Sequence, residues 1–251
     1  LEYWGLFSIA MIILLTIYNI ATKKLGLLPG IFFPSLDKIL GVIVEDHEFI
    51  LLCLITSGKL LATGFILGAA AGFITGLAVG FSKTAEYWIS PIIRFIGPMP
   101  PTAWIPVVLV VFPTTFAGSS FLIALSVWFP VTLMTSSGIK NLPQAYFEVA
   151  STLGAGKYYQ IFRVGVPAAM PSVFLGLFNG ACASFITLMT AELLGVKNGI
   201  GWYINWQKDM MAYANVYAGL IIISVTFFLI ILLLFKFREH VLGWQKGVIK
   251  W

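Results

Sequence analysis

The sequence predicts an all-α polytopic membrane protein, and its composition, its long apolar runs and the placement of its charges all favour this fold class. Of the 251 residues, 59% are hydrophobic and only 10% are charged, and the mean hydropathy is +0.96. Soluble domains carry about 25% charged residues, so this chain has too few charges to cover the surface of a soluble domain. We therefore expect one transmembrane domain over residues 1–251.

Six apolar stretches predict membrane-spanning helices, since about 20 apolar residues cross a bilayer. They lie at about 4–21, 60–81, 101–116, 119–138, 171–194 and 215–236. The second belongs to a longer apolar stretch whose first turns, with Lys59, we expect in the membrane interface. The third is short and rich in proline. Because the chain begins with Leu1 rather than Met, we expect that some N-terminal residues are missing. The first stretch is long enough to span, which argues against a cleaved signal peptide.

The basic residues predict that both termini are cytoplasmic, because Lys and Arg accumulate on that side of membrane proteins. This orientation places nine of them inside: Lys83, Arg94, Lys140, Lys157, Arg163, Lys236, Arg238, Lys246 and Lys250. The net charge of +5 is scattered along the chain and does not indicate nucleic-acid binding. The two cysteines and two histidines have no spacing typical of a metal site or a disulfide, so no metal or cofactor is expected on this chain.

Glycine recurs every fourth residue in the second span, at Gly64, Gly68, Gly72, Gly76 and Gly80. This spacing exposes a seam of bare backbone along one side of a helix, where another helix can approach closely. The seam predicts either a gating or dimer helix, with Gly68, Gly72 and Gly76 lining a pathway, or close packing inside one bundle.

The segment RFIGPMPPTAWIP, residues 94–106, interrupts the apolar pattern with four prolines. Proline removes backbone donors and pushes the preceding residue out of the helical region. Irregular backbone at membrane depth must be buried in protein or line a cavity. The segment is either an elbow at the cytoplasmic side, which we favour, or part of a pathway.

The segment EVASTLGAGKYYQIFRVGVP, residues 148–167, carries charges between two long apolar stretches. Its Gly156-Lys157 pair suggests a phosphate-binding loop, but that motif needs Gly where Ser151 stands and Ser or Thr where Tyr158 stands. The chain also lacks a catalytic set of residues, so we expect no enzymatic activity of its own.

Three further features are candidates for transport or gating. Glu192 ends the fifth span, and a carboxylate in a membrane segment is by default a functional candidate, unless it is solvated or capped there. Trp202 and Trp206 are expected at the outer face as a docking or gating surface, or as an ordinary aromatic belt. Lys59 would attract an anion or anchor its helix in the interface.

The charged segment resembles the signature of permeases from binding-protein-dependent ABC importers, in their nitrate, sulfonate, taurine and bicarbonate branch. That signature is Glu-Ala-Ala, then Gly four residues after the second Ala, then Ile-x-Leu-Pro about a dozen residues beyond. Here it reads Glu148-Val149-Ala150, Gly154 and Val164-Gly165-Val166-Pro167. The proline-rich turn and the pattern Ala191-Glu192…Gly199-Ile200-Gly201 also match the branch.

The resemblance implies a type I ABC importer (MetI-like) fold of about six transmembrane helices with a cytoplasmic coupling loop at 139–170. It implies a bacterial inner-membrane protein that pairs with a second permease copy, two cytoplasmic ATPase subunits holding ATP and Mg²⁺, and an extracytoplasmic binding protein. Glu148, Val149, Ala150, Gly154, Lys157 and Pro167 would then form the ATPase-docking coupling helix and its flanks.

The residues themselves agree with a short helix over Gln144 to Leu153, which Gly154 ends in a left-handed conformation and after which Pro167 closes the segment. An amphipathic loop on lipid headgroups is the alternative. The solute is expected to be a small oxyanion such as nitrate, bicarbonate or a sulfonate, with a thiamine-precursor pyrimidine or an aromatic acid as alternatives. A self-sufficient secondary transporter or channel is the alternative function, although we find no inverted repeat.

Overall fold

The computed structural model describes residues 13, 16–20, 22, 29–193 and 198–244. In chain order the helices are α1 Leu36–Glu45, α2 His47–Phe81, α3 Lys83–Ile96, α4 Ile105–Val111, α5 Thr115–Lys140, α6 Gln144–Thr152, α7 Lys157–Leu193, α8 Ile200–Asp209 and α9 Tyr213–Val241. A short 3₁₀ turn, Pro101–Trp104, precedes α4. These residues contain no β-strand, and the predicted all-α membrane fold is confirmed.

Within the described residues, four helices are long and apolar enough to cross a membrane: α2, α5, α7 and α9. A fifth span would come from α3 together with Pro101–Val111, two segments that meet at an angle of 86°. The predicted span 4–21 lies mostly outside the described residues, of which Ile13 and residues 16–20 are helical. The total of six spans therefore stays a prediction.

Two helices begin earlier than the sequence predicts. Helix α2 is one continuous helix of 35 residues from His47, and α7 begins at Lys157 rather than near residue 171. The loop predicted at 139–170 is correspondingly shorter. Pro167 lies inside α7 and does not end the segment, so that part of the prediction is wrong. The reason is a π-helical stretch at Gln160–Gly165, whose wider turn accommodates the ring and the missing donor of the proline.

One compact unit comprises residues 57–196 and 226–251, and α5 lies at its centre. The glycine seam of α2 faces α5 so closely that a methyl group added at Gly68 would collide with the carbonyl oxygen of Ala124, and one at Gly76 would lie 2.6 Å from the Cβ of Thr135. Gly72 likewise faces Val131. The seam is therefore a helix–helix contact inside the chain, which corrects the prediction that these glycines line a pathway.

Helix α7 also packs on α5 in the same unit, and it contacts α9 there. Gly176 and Gly180 allow α7 to approach the backbone of α5 closely at Val131 and Val127. Ring pairs join α7 to α9, with centroid distances of 5.8, 5.4 and 4.1 Å for Phe174–Phe237, Phe178–Phe235 and Phe185–Phe227. The face of α9 away from these rings exposes apolar side chains, as a helix in lipid does.

The other compact unit comprises residues 1–56 and 197–225. In it the Tyr18 hydroxyl donates to the Pro34 carbonyl at 2.9 Å, and Phe32 contacts Tyr213 edge to face at 5.0 Å. Helix α8 packs closely on α9, because Gly219 leaves room for the side chain of Ile204.

Candidate functional site

Helix α6 is a short helix with a well-defined end. The amide of Gly154 donates to the Ser151 carbonyl at 3.0 Å, and the amide of Ala155 donates to the Ala150 carbonyl at 2.9 Å. These two bonds form a Schellman motif, which requires a left-handed residue after the helix. Gly154 has φ +79°, so its predicted conformation is confirmed. The predicted helix limits, Gln144 to Leu153, agree with the observed helix to within one residue.

Two contacts tie α6 to long apolar helices. The ring of Phe147 meets that of Phe81, the last residue of α2, edge to face at 6.5 Å. The side-chain amide of Gln160, in the first turns of α7, donates to the Ser151 hydroxyl at 2.9 Å and to the Ala155 carbonyl at 2.8 Å. A displacement of α6 would therefore be transmitted to both α2 and α7.

The residues predicted for docking divide between an exposed and a buried side of α6. Glu148 and Val149 are exposed, whereas Ala150 is buried. Lys157 is exposed at the start of α7. The exposed surface continues through the large side chains of Tyr146, Leu153 and Tyr158. Its exposed polar residues, besides Glu148 and Lys157, are Gln144, Ser151 and Thr152.

Glu192 lies near the end of α7 and is fully buried. The Ser57 hydroxyl of α2 donates to its Oε1. The alternative that Glu192 is solvated is therefore wrong; capping by the following loop involves residues 194–197, which lie outside the described residues. Lys59, two residues after Ser57 and thus on a different side of α2, is exposed.

The two tryptophans that the sequence predicts at the outer face are part of an aromatic cluster. Trp202 and Trp206 stack at 5.4 Å with an interplanar angle of 12°, and the Phe49 ring meets each of them at 6.4 Å. Trp206 is the more exposed, which suits a surface role.

Beside this cluster lies a polar network that was not predicted from the sequence. The Tyr203 hydroxyl donates to Asp46 at 3.1 Å, and the Asn215 amide donates to the same carboxylate oxygen at 2.8 Å. Burial raises the pKa of Tyr203 to about 12. No local pattern marks these residues, because Asp46 and Asn215 are separated by 169 positions.

A half-open cavity of about 370 Å³ lies where the proline-rich bend meets α5 and α7. Its lining residues are Ile96, Gly97, Pro98, Met99, Pro100, Pro101, Thr102, Leu125, Ser126, Trp128, Phe129, Pro130, Asn179, Ala183, Ile186 and Thr187. The indole nitrogen of Trp128 donates to Thr75 at 3.1 Å, and this hydroxyl lies 2.7 Å from that of Thr132, which fixes the tryptophan in the wall. The bend is thus both an elbow and the lining of a cavity.

Residues 64–242, more than half of the chain, match the family model described as "Binding-protein-dependent transport system inner membrane component". The chain belongs to this family. The resemblance predicted from the Glu148–Pro167 segment is thereby confirmed.

Two relatives of the chain are named as permeases of particular transport systems. It is 31% identical over 208 residues to a bicarbonate transport system permease protein of Synechococcus elongatus, covering 82% of this chain and 69% of that one. It is 29% identical over 167 residues to the taurine transport system permease protein of Escherichia coli, covering 66% and 61%. The chain thus spans about three fifths of the length of several relatives that it matches.

A solved structure supports the fold independently. It is described as the crystal structure of an amino acid ABC transporter with histidines, and it aligns with a TM-score of 0.61 at 17% identity. The alignment covers 78% of this chain and 94% of that one. At this identity the likeness establishes the fold alone.

Proposed function

We propose that this chain is the membrane permease subunit of an ATP-driven importer and that α6 is its coupling helix. The observation that carries the proposal is the placement of α6, an exposed short helix attached to both α2 and α7. Membership of the binding-protein-dependent family supports it. The chain would pair with a second copy of itself, two ATPase subunits that hold ATP and Mg²⁺, and an extracytoplasmic binding protein. Its place would be the bacterial inner membrane, with both termini cytoplasmic.

The surface of α6 favours a protein partner over lipid headgroups. Val149 and Leu153 are 59% and 81% exposed, and contiguous exposed apolar groups mark interaction sites. Glu148 lies among them without an ion pair in the described part of the chain. An anionic lipid surface repels a carboxylate, whereas Arg or Lys of a protein forms a charge-assisted hydrogen bond with it.

The proposed mechanism is alternating access, driven from outside the chain. Closure of the ATPase pair on ATP would displace α6, and the contacts of Phe147 and Gln160 would carry that displacement to α2 and α7. Both helices pack closely on α5. Packed helices shift between discrete arrangements rather than deform continuously, so a shift of α2 and α7 would open the cavity outward. Hydrolysis would reset the arrangement.

The proposed solute is a small oxyanion such as nitrate, bicarbonate or a sulfonate. Relatives named for bicarbonate and taurine transport support this class. A thiamine-precursor pyrimidine or an aromatic acid is the alternative. Within the proposal, Glu192, Lys59, Trp202 and Trp206 remain gating or docking candidates.

The substitution Glu148→Arg tests the coupling assignment. It reverses the charge at the centre of the exposed surface without affecting a buried group, so the chain should still fold and insert. We expect ATPase subunits to co-purify at less than a tenth of the normal amount and ATP-dependent uptake to fall in parallel, because a reversed charge repels the partner's cation.

A matched control is Glu48→Arg, which makes the same change at an exposed position in the first turn of α2. Co-purification and uptake should stay within about twofold of the parent. Normal uptake by the Glu148→Arg permease would contradict the coupling role of α6. Uptake by this chain alone in ATP-free vesicles would instead support a secondary transporter.

A further inference from the structure

The cavity beside the proline-rich bend contains one polar group of unusual placement, the side chain of Asn179. Asn179 is 13 residues from Val166 and 14 from Leu193, the ends of the α-helical part of α7. At 1.5 Å rise per residue it lies roughly 20 Å from either end. The hydrocarbon core is about 30 Å thick, so an amide there is near the middle of the bilayer.

Asn179 is exposed on the cavity side and makes no side-chain hydrogen bond to any described residue. An amide in a hydrocarbon environment without a partner is costly. Polar groups near the midplane therefore face a bundle interior or an aqueous cavity, and they mark solute pathways. The cavity supplies such a surrounding for this amide.

Three other polar side chains of the wall donate their hydrogens within the chain. The hydroxyls of Ser126 and Thr187 donate to the carbonyls of Ile123 at 2.7 Å and Ala183 at 3.0 Å, and the Trp128 indole donates to Thr75. Among the lining residues, all of which are described, only Asn179 and Thr102 have side-chain donors left for a ligand. None of the lining residues is charged.

The rest of the wall is apolar. Proline, methionine, isoleucine and phenylalanine make up half of the lining residues, and leucine, tryptophan and alanine add to the apolar surface. The volume of about 370 Å³ lies in the range of sites for small organic molecules. Apolar walls with few convergent polar groups bind ligands that have both a hydrocarbon part and a polar head. An inorganic ion such as nitrate would leave this apolar surface uncovered.

We propose that this cavity is the membrane subsite for a small organic anion, with Asn179 donating to its oxyanion head and the proline-rich wall contacting its hydrocarbon part. The inference rests on the proposed transport function and narrows its substrate to anions that carry a hydrocarbon group. The neutral donors hold the anion weakly enough to release it, whereas a lysine at this depth would trap it.

The experiment uses the complete transporter, reconstituted in proteoliposomes with its ATPase and its binding protein. Uptake and ATP hydrolysis are measured with methanesulfonate, butanesulfonate and nitrate as probes. We expect ATP-dependent uptake of butanesulfonate in excess of nitrate. Asn179→Val should lower butanesulfonate uptake per ATP hydrolysed at least tenfold, while Asn179→Gln should retain most of it. Thr190→Val introduces the same residue in the same helix outside the cavity and should stay within twofold.

A second variant tests the hydrocarbon contact through size. Ala183→Leu fills part of the cavity and should reduce butanesulfonate uptake several times more than methanesulfonate uptake, with the same binding protein in both assays. A structural defect would lower both equally, and that result would overturn the assignment. Unchanged uptake by Asn179→Val would also overturn it and leave lipid or a second copy as the occupant. Nitrate uptake without butanesulfonate uptake would overturn the substrate class but leave the proposed transport function intact. The transport function itself would be contradicted only if the complex showed no ATP-dependent uptake of any tested oxyanion or alternative solute.

Discussion

Single glycines of α2 set how closely this helix can approach α5. At Gly68 the obstacle to a larger residue is backbone, because the nearest atoms are the carbonyl oxygen and the Cα of Ala124. Backbone in the middle of a helix cannot yield cheaply, so even one methyl group must push the helices apart. Gly58, in the same helix, is exposed, and a methyl group added there would have no atom within 4 Å.

The variants Gly68→Ala and Gly58→Ala test this contact, because they make the same change at two positions of the same helix. Overpacking of a tight contact costs roughly 1–3 kcal/mol, so Gly68→Ala should lower the unfolding temperature in detergent by about 2–10 °C. Gly58→Ala should leave it equal or slightly higher, since alanine favours helix by up to about 1 kcal/mol. Equal melting temperatures for the two variants would show that the seam is not a tight contact.

Residues that act through long-range contacts were the hardest to predict from the sequence. The four-residue glycine spacing indicated a helix contact, but it did not say whether the partner lay in the same chain. Glu192 stood out as a charge, yet its burial and its bond to Ser57 depend on a helix 135 positions away. Asn179 carries no charge, and it differs from its apolar neighbours only in being an amide in mid-span.

At the scale of elements, α6 was predictable because its signals are local. Pro143 precedes its first residue, and Gly154 follows its last turn. The start of α7 was missed for the opposite reason. A proline at position 167 normally marks a helix boundary, and nothing in residue propensities reveals the π-helical turn that lets the helix continue through it.

The Schellman motif of α6 depends on a residue that tolerates positive φ. An alanine at position 154 would adopt the left-handed conformation at a cost of roughly 1–2 kcal/mol. Gly154→Ala should therefore make the amides at the end of α6, including that of Ala155, exchange hydrogen roughly 5- to 30-fold faster. Hydrogen exchange followed by mass spectrometry measures this.

The neighbouring Gly156 provides the matched control. It has φ −69° and ψ 163°, an extended conformation open to any residue, and no atom lies within 4 Å of an added methyl group. Gly156→Ala should leave the exchange of α6 nearly unchanged. Equal protection in both variants would mean that the left-handed cap contributes little to the stability of α6.

At the scale of the whole molecule, several basic residues of the 57–196 unit lie at one of its ends. Lys140, the last residue of α5, pairs with Glu86 of α3 at 2.7 Å. Phe81, the last residue of α2, contacts Phe147 of α6. Lys83, Lys157 and Arg163 are exposed in these segments. Since Lys and Arg accumulate on the cytoplasmic side, this end should face the cytoplasm.

The orientation can be tested by labelling one position on each side of α7 with a thiol reagent. If α7 crosses the bilayer once, Tyr158 at its start and Met210 after α8 lie on opposite sides. Both side chains are exposed, at 82% and 64%, so each accepts a cysteine without loss of packing. In a Cys53→Ala, Cys182→Ala background, a membrane-impermeant maleimide should label Met210→Cys in cells whose outer membrane has been permeabilised and whose inner membrane is intact. Tyr158→Cys should be labelled only after detergent treatment. The reverse pattern would place the coupling helix outside the cell, where no ATP is available, and would contradict both the orientation and the coupling role of α6.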